Sequence, residues 1–157
     1  MQDFTNLSET TISSEEIYDG HVVHLYKDTV ELPNGHTSIR EVIRHVGAVA
    51  IVPITDDGQV VVERQFRYPL NEVITEIPAG KLDSASEDHR EAALRELREE
   101  TGAHCQSLTF LGTYLGSPAI LNEKIDLFLA EGLTFGETDF DDDEFIESVR
   151  VPLAKLC

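Results

Sequence analysis

Residues 95–102 read Arg95-Glu96-Leu97-Arg98-Glu99-Glu100-Thr101-Gly102, and the spacing of their carboxylates decides how the rest of the chain is read. On a helix, Glu96 and Glu100 are four apart and Glu96 and Glu99 three apart, so all three can project from one side. Like charges at that spacing cost an isolated helix about 0.2–0.5 kcal/mol per pair. Stability alone does not call for such an arrangement. A hard divalent cation does, because Mg²⁺ collects about six oxygens from carboxylates, water and phosphate. The plain alternative is a solvated helix face laced with Glu–Arg pairs, which suffices for such a run taken in isolation. Ala93, Leu94 and Leu97 form an apolar stripe that would dock the helix on a sheet and hold the carboxylates rigidly.

Outward from this run, the helix is expected from about Ser86 to Thr101. Ser84 followed by Glu87 has the form of a capping box, and Gly102 suits the left-handed residue that ends a helix. Upstream, HVVHLYKDTVEL (21–32), the turn Pro33-Asn34-Gly35 and Ser38–His45 predict a hairpin. GAVAIVPI (47–54) is nearly all apolar, as a strand buried on both faces would be. QVVVERQFR (59–67) follows the turn Asp56-Asp57-Gly58 and reads as its hairpin partner. EVITEI (72–77) alternates, and SLTFLGTYLG, KIDLFLAEGL and FIESVRVPL add three more strands.

Residues 1–15 are polar and aperiodic, so they are expected to be loose or held by a partner. Glu131 to Ser148 holds eight carboxylates and no Lys or Arg. Residues 152–156 read as the opening of a helix, which points to a C-terminal helix cut short. Strands dominate around one strong helix, so the class is α+β, with a hairpin region over 1–45 and a main domain over 46–157.

Composition narrows the functions. A chain of 157 residues with 41% apolar content supports one core. The net charge of −18 repels nucleic acid and anionic membranes, which are bound through clustered Lys and Arg. No apolar run is long enough to span a bilayer, and the N-terminus lacks the basic start of a signal peptide. Two cysteines, Cys105 and Cys157, give no disulfide framework, so a cytoplasmic location is expected.

Gly80-x6-Glu87-x7-Arg95-Glu96-Leu97-x-Glu99-Glu100-x-Gly102-Ala103 resembles the Nudix box, G-x5-E-x7-R-E-U-x-E-E-x-G-U, where U is an aliphatic or small apolar residue. One departure stands out: six residues rather than five separate Gly80 from Glu87. The insertion falls in the loop entering the helix and leaves every spacing within the helix intact. It puts the reach of Glu87 in question. The resemblance implies a Nudix α/β/α sandwich around a mixed sheet. It also implies Glu96, Glu99, Glu100 and the carbonyl of Ala79 as metal ligands, with Glu99 also in a catalytic role. Arg95 would orient the carboxylates from behind.

Across roughly residues 14–153 the chain is similar to the ADP-ribose pyrophosphatase branch of that family. The similarity rests on the N-terminal hairpin leading into GAVAIVPI, on VERQFRYPLNEVITEIPAGKLD, and on Pro118 within SPAILNEKIDLFLAEG. It implies substrate contacts from Arg67, Glu76 and Pro118, and a homodimer with exchanged N-terminal hairpins in which Arg40 and Arg44 reach the neighbouring site. Relatives commonly read SPGFxDE where this chain has Ser117-Pro118-Ala119-Ile120-Leu121-Asn122-Glu123, a change near the terminal ribose. With no Trp, adenine stacking would fall to Tyr18, Tyr26 or Phe66, unless those aromatics are core, or to an aliphatic sandwich.

The implied reaction is water attack on one phosphorus of ADP-ribose or a related ADP-sugar, releasing AMP and ribose 5-phosphate with Mg²⁺, or Mn²⁺ in its place. The general base would lie outside the box. Glu144, then Asp142, in the acidic turn are the candidates, with Glu123 third. The competing readings are a GDP-sugar or dinucleoside polyphosphate hydrolase, and a nucleotide-sensing Nudix module without catalysis.

Overall fold

The computed structural model describes residues 7–140 and 144–156. The strands in chain order are β1 (Thr10–Asp19), β2 (His24–Glu31), β3 (Thr37–Arg44), β4 (Ala48–Pro53), β5 (Gln59–Arg67), β6 (Glu72–Glu76) and β7 (Ala79–Lys81). Helix α1 (His89–Thr101) follows, then β8 (Ala103–His104), β9 (Ser107–Tyr114), β10 (Ile125–Glu131), β11 (Thr134–Phe135) and β12 (Ile146–Pro152). The chain divides into two compact units, one of Met1–His45 with Leu115–Glu123, the other of Val46–Tyr114 with Lys124–Cys157.

In the first unit, β1, β2 and β3 form an antiparallel sheet in that order. The β2–β3 hairpin turns at Pro33-Asn34-Gly35, where Gly35 takes φ 80°, a value glycine adopts without strain. Residues 10–15, expected to be loose, are instead the first part of β1 and pair with β2. Every residue of β1 is exposed, so no alternation marks the strand in sequence. Its order comes from the backbone ladder and from cross-strand pairs, with the Tyr26 hydroxyl donating to Glu16 at 2.9 Å and that of Ser14 to Asp28 at 2.5 Å. The Leu115–Glu123 loop joins this unit through the Ile43 amide, which donates to the Ile120 carbonyl at 2.8 Å.

The second unit is built on a mixed sheet of order β7-β4-β10-β9, with β4 and β10 parallel. β4 is apolar and nearly all buried, as a strand covered on both faces would be, whereas β10 is partly buried. The partner expected for β4 is corrected here. Both edges of β4 are taken by β10 and β7, so β5 keeps only the isolated bridge Ile54–Val60 to it and forms a separate antiparallel sheet, β12-β5-β6.

Helix α1 lays Ala92, Ala93 and Leu97 into a core with Val49, Ile51, Phe128 and Ala130. It begins later than expected, and Asp88 rather than Ser84 caps it, accepting the amides of Arg90 and Glu91 at 2.9 and 3.1 Å. Glu87 is thereby excluded from the helix and held in the entry loop. Gly102 ends the helix at φ 66°, and a Cβ there would meet the Gly136 carbonyl at 2.5 Å. Mixed sheets backed by this helix match the expected class. The described residues supply one helical layer, and Leu153–Lys155 is a 3-10 turn. Among the described residues no helix is long and apolar enough to cross a membrane.

Candidate metal and phosphate site

Helix α1 buries a stripe made of Ala92, Ala93, Glu96, Leu97, Glu100 and Thr101. Glu96 and Glu100 sit on it at 8% and 6% exposure. Glu99, expected on the same side, is less buried; the Arg95 Nη1 that donates to Glu96 also donates to it at 3.3 Å, and Arg98 donates to it at 2.8 Å. Among the described residues no three acidic side chains converge in ready ligand geometry.

Arg95 is the hub of the box. It donates to Glu96 at 2.8 Å, to Glu87 at 3.3 Å and to the Lys81 carbonyl at 3.3 Å. Burial works against its charge, but the surrounding carboxylates outweigh it and push its pKa above the usual arginine value. Glu87 reaches Arg95 despite the extra loop residue, and its other oxygen accepts the Asp83 amide at 2.6 Å. A Cβ at Gly80 would run into the Glu96 carboxylate, which would have to shift to make room. The Ala79 amide donates to Glu100 at 3.0 Å, which ties β7 to the helix.

A residue that the sequence reading passed over completes this region. Glu63, in the middle strand β5, is 4% exposed and faces Glu76 across the β5–β6 ladder. Its Oε1 is buried and accepts no hydrogen bond. Burial, then Glu144 and Glu76, push its pKa up to about 7. Burial, then Glu63 and Glu96, push Glu100 up to about 9, against the opposing Ala79 amide. Burial also raises Glu96, against Arg95, with Glu99 and Glu144 adding to the rise. The available signal was a carboxylate closing the apolar run Val60-Val61-Val62.

Such a group of desolvated, mutually repelling carboxylates fits a divalent cation, whose charge would relieve the burial and the repulsion together. Arg67, the predicted phosphate contact, donates from Nε to Glu76 at 2.7 Å, so two predicted substrate residues meet. Glu144 acts electrostatically on Glu63, Glu96 and Glu100. Asp142 lies outside the described residues. The stretch before it is anchored by the Asp139 amide, which donates to the Glu99 carbonyl at 2.9 Å.

The remaining candidates belong to the first unit. Glu123 pairs with His45 at 3.2 Å, and Pro118 lies in the same loop. Arg40 holds Glu9 in a two-pronged contact of 2.9 and 2.5 Å. Arg44 stacks 3.8 Å over the Tyr26 ring and pairs with Asp28 at 3.2 Å. Tyr18 is exposed, and so is Phe66 in the second unit, so neither is core. Phe66 shares a shallow 430 Å³ groove with Arg64, Val73, Phe145, Ile146 and Glu147.

Residues 44–156 match the NUDIX domain family. The chain belongs to the Nudix family. In this Nudix protein, residues 9–43 also match the nucleoside diphosphate sugar hydrolase N-terminal domain. It is 47% identical over 147 residues to a methanol dehydrogenase activator of Bacillus methanolicus, covering 92% of this chain and 79% of that one. It is 45% identical over 150 residues to an ADP-ribose pyrophosphatase of Bacillus subtilis (strain 168), covering 94% and 80%. A crystal structure of an ADP compounds hydrolase superposes with a TM-score of 0.82 at 28% identity, covering 93% of this chain and 79% of that one. Divalent-metal dependence is general among the Nudix ADP-ribose pyrophosphatases it resembles.

Proposed function

We propose that this Nudix protein hydrolyses the pyrophosphate bond of ADP-ribose, or of a closely related ADP-sugar, to AMP and ribose 5-phosphate, with Mg²⁺ as its cation. The observation that carries the reading is the burial of Glu96 and Glu100 on one helix stripe beside Glu63, a group of acids that asks for a cation. The pyrophosphatase and ADP compounds hydrolase relatives support the substrate class.

When bound, the cation neutralises the phosphates and makes a water more acidic. The protein's own residues do the rest. Glu96 and Glu100, together with Ala79 at the β7 edge and Glu99, hold the cation. Arg95 and Glu87 keep the helix and its entry loop in register. Arg67 turns its guanidinium from Glu76 to a phosphate, where a planar fork binds two oxygens. Glu144 takes the proton of the attacking water as the bridging P–O bond breaks.

Homodimerisation through the N-terminal region belongs to the same proposal, supported by the exposed Ile12, Ile17 and Ile39 of its sheet. A cytoplasmic location accords with the free thiol of Cys105. Product analysis with Mg²⁺ on ADP-ribose, GDP-mannose and diadenosine polyphosphates tests the activity. AMP and ribose 5-phosphate from ADP-ribose as the preferred reaction is expected. Faster turnover of the guanosine or dinucleoside compounds would move the assignment to those substrates, and tight ADP-ribose binding without turnover would make the chain a sensor.

A further inference from the structure

The box accounts for acids on α1, yet the most isolated carboxylate of the region lies on a different element. Glu63 occupies the central strand of the β12-β5-β6 sheet, with Ser148 opposite it on one side and Glu76 on the other. Both ladders pin its backbone, and the residue is only 4% exposed. Its Oε1 finds no donor. Arg67 is the cation that offsets its charge, and the Arg67 Nε is engaged by Glu76 at 2.7 Å. An isosteric amide, or another valine after Val60-Val61-Val62, would fill this place without a buried charge. A buried carboxylate with one oxygen lacking a donor, in the field of Glu76, Glu96, Glu100 and Glu144, is chemically matched by a hard divalent cation.

We propose that Glu63 supplies a carboxylate ligand from β5 to the divalent cation held by Glu96 and Glu100, so that the site is closed from the sheet as well as from the helix. The inference rests on the cation-site reading above, though not on the identity of the substrate. Glu63 would thus add a ligand to the cation from outside the box. Its neighbour Arg67, on the same strand four residues on, brings the phosphate to it.

The test is Mn²⁺ binding to chelator-stripped protein, followed by the EPR signal of free Mn²⁺, for the wild type, Glu63→Gln and Glu100→Gln. Melting in EDTA is measured on the same samples. Glu63→Gln is expected to weaken Mn²⁺ binding by about tenfold or more, as Glu100→Gln does. Its metal-free melting temperature at pH 8 is expected to equal or exceed that of the wild type, since a buried charge is removed. Mn²⁺ affinity within about twofold of wild type in Glu63→Gln overturns the proposal. So does a lower metal-free melting temperature, which would make Glu63 a purely structural group. A wild type that binds no Mn²⁺ sinks the cation site as a whole. Intact Mn²⁺ binding with no ADP-ribose hydrolysis removes the proposed activity and leaves the role of Glu63 standing.

Discussion

Arg67 donates from Nε to Glu76 at 2.7 Å across the β5–β6 ladder, four strand positions beyond the point where Glu63 and Glu76 lie directly opposite. The pair sits at partly exposed side chains, 43% and 32%, so as a structural contact it contributes at most about 1 kcal/mol. Arg67→Ala is therefore expected to leave the melting temperature nearly unchanged. KM for ADP-ribose should rise about tenfold, and Arg67→Lys should recover little of the loss, because an ammonium lacks the planar fork. Unchanged KM in both variants would reduce Arg67 to a salt-bridge partner.

Metal-free stability should fall as pH rises. Glu63 and Glu100 have folded pKa values raised to about 7 and about 9 from an ordinary 4.5. The folded state then binds more protons than the unfolded chain between those limits, so the stabilising contribution is complete below about pH 4.5 and is lost on the way up. In EDTA the melting temperature is expected to drop between pH 6 and pH 8.5. Glu63→Gln should flatten that drop, separating it from the general self-repulsion of a chain with net charge −18. Equal slopes for the two proteins would contradict the buried-acid account.

Glu144→Gln at saturating Mg²⁺ should lower kcat by more than tenfold with little change in KM. Its carboxylate acts on Glu63, Glu96 and Glu100, which makes it the first candidate for the proposed base. Asp142→Asn is the comparison within the same turn. Near-normal kcat in both variants transfers the search for the base to Glu123.

Asp88→Ala should destabilise the protein by about 1 kcal/mol, read as a fall of about 2–4 °C in melting temperature. Asp88 accepts the Arg90 and Glu91 amides, whereas the Ser84 hydroxyl meets Ser86 at 3.2 Å. Ser84→Ala is expected to be nearly silent. The reverse order would restore Ser84 as the cap.

Helix α1, its Gly102 terminus and the apolar β4 were legible because their signals are local. An i,i+4 repeat, a glycine at the end of a periodic run and an unbroken apolar stretch each lie within a few residues. The first part of β1 was not legible, because a strand exposed on both faces has no period-2 pattern and is ordered by its neighbour. The pairing of β5 was misread for a related reason. Adjacency in sequence suggests a hairpin, but the edges of β4 had already been taken by β10 and β7.

By itself, the sequence determined the family box, the helix that carries it and the acids available to bind a cation, since helical spacing converts directly into position on a face. Only the tertiary structure decided which acids are buried. It turned Glu99 toward Arg95 and Arg98, set Glu96 under Gly80, and brought Glu63 from a separate sheet into the same charged neighbourhood as Glu100. Desolvation and mutual repulsion are properties of groups far apart in sequence and close in space, so no local pattern records them.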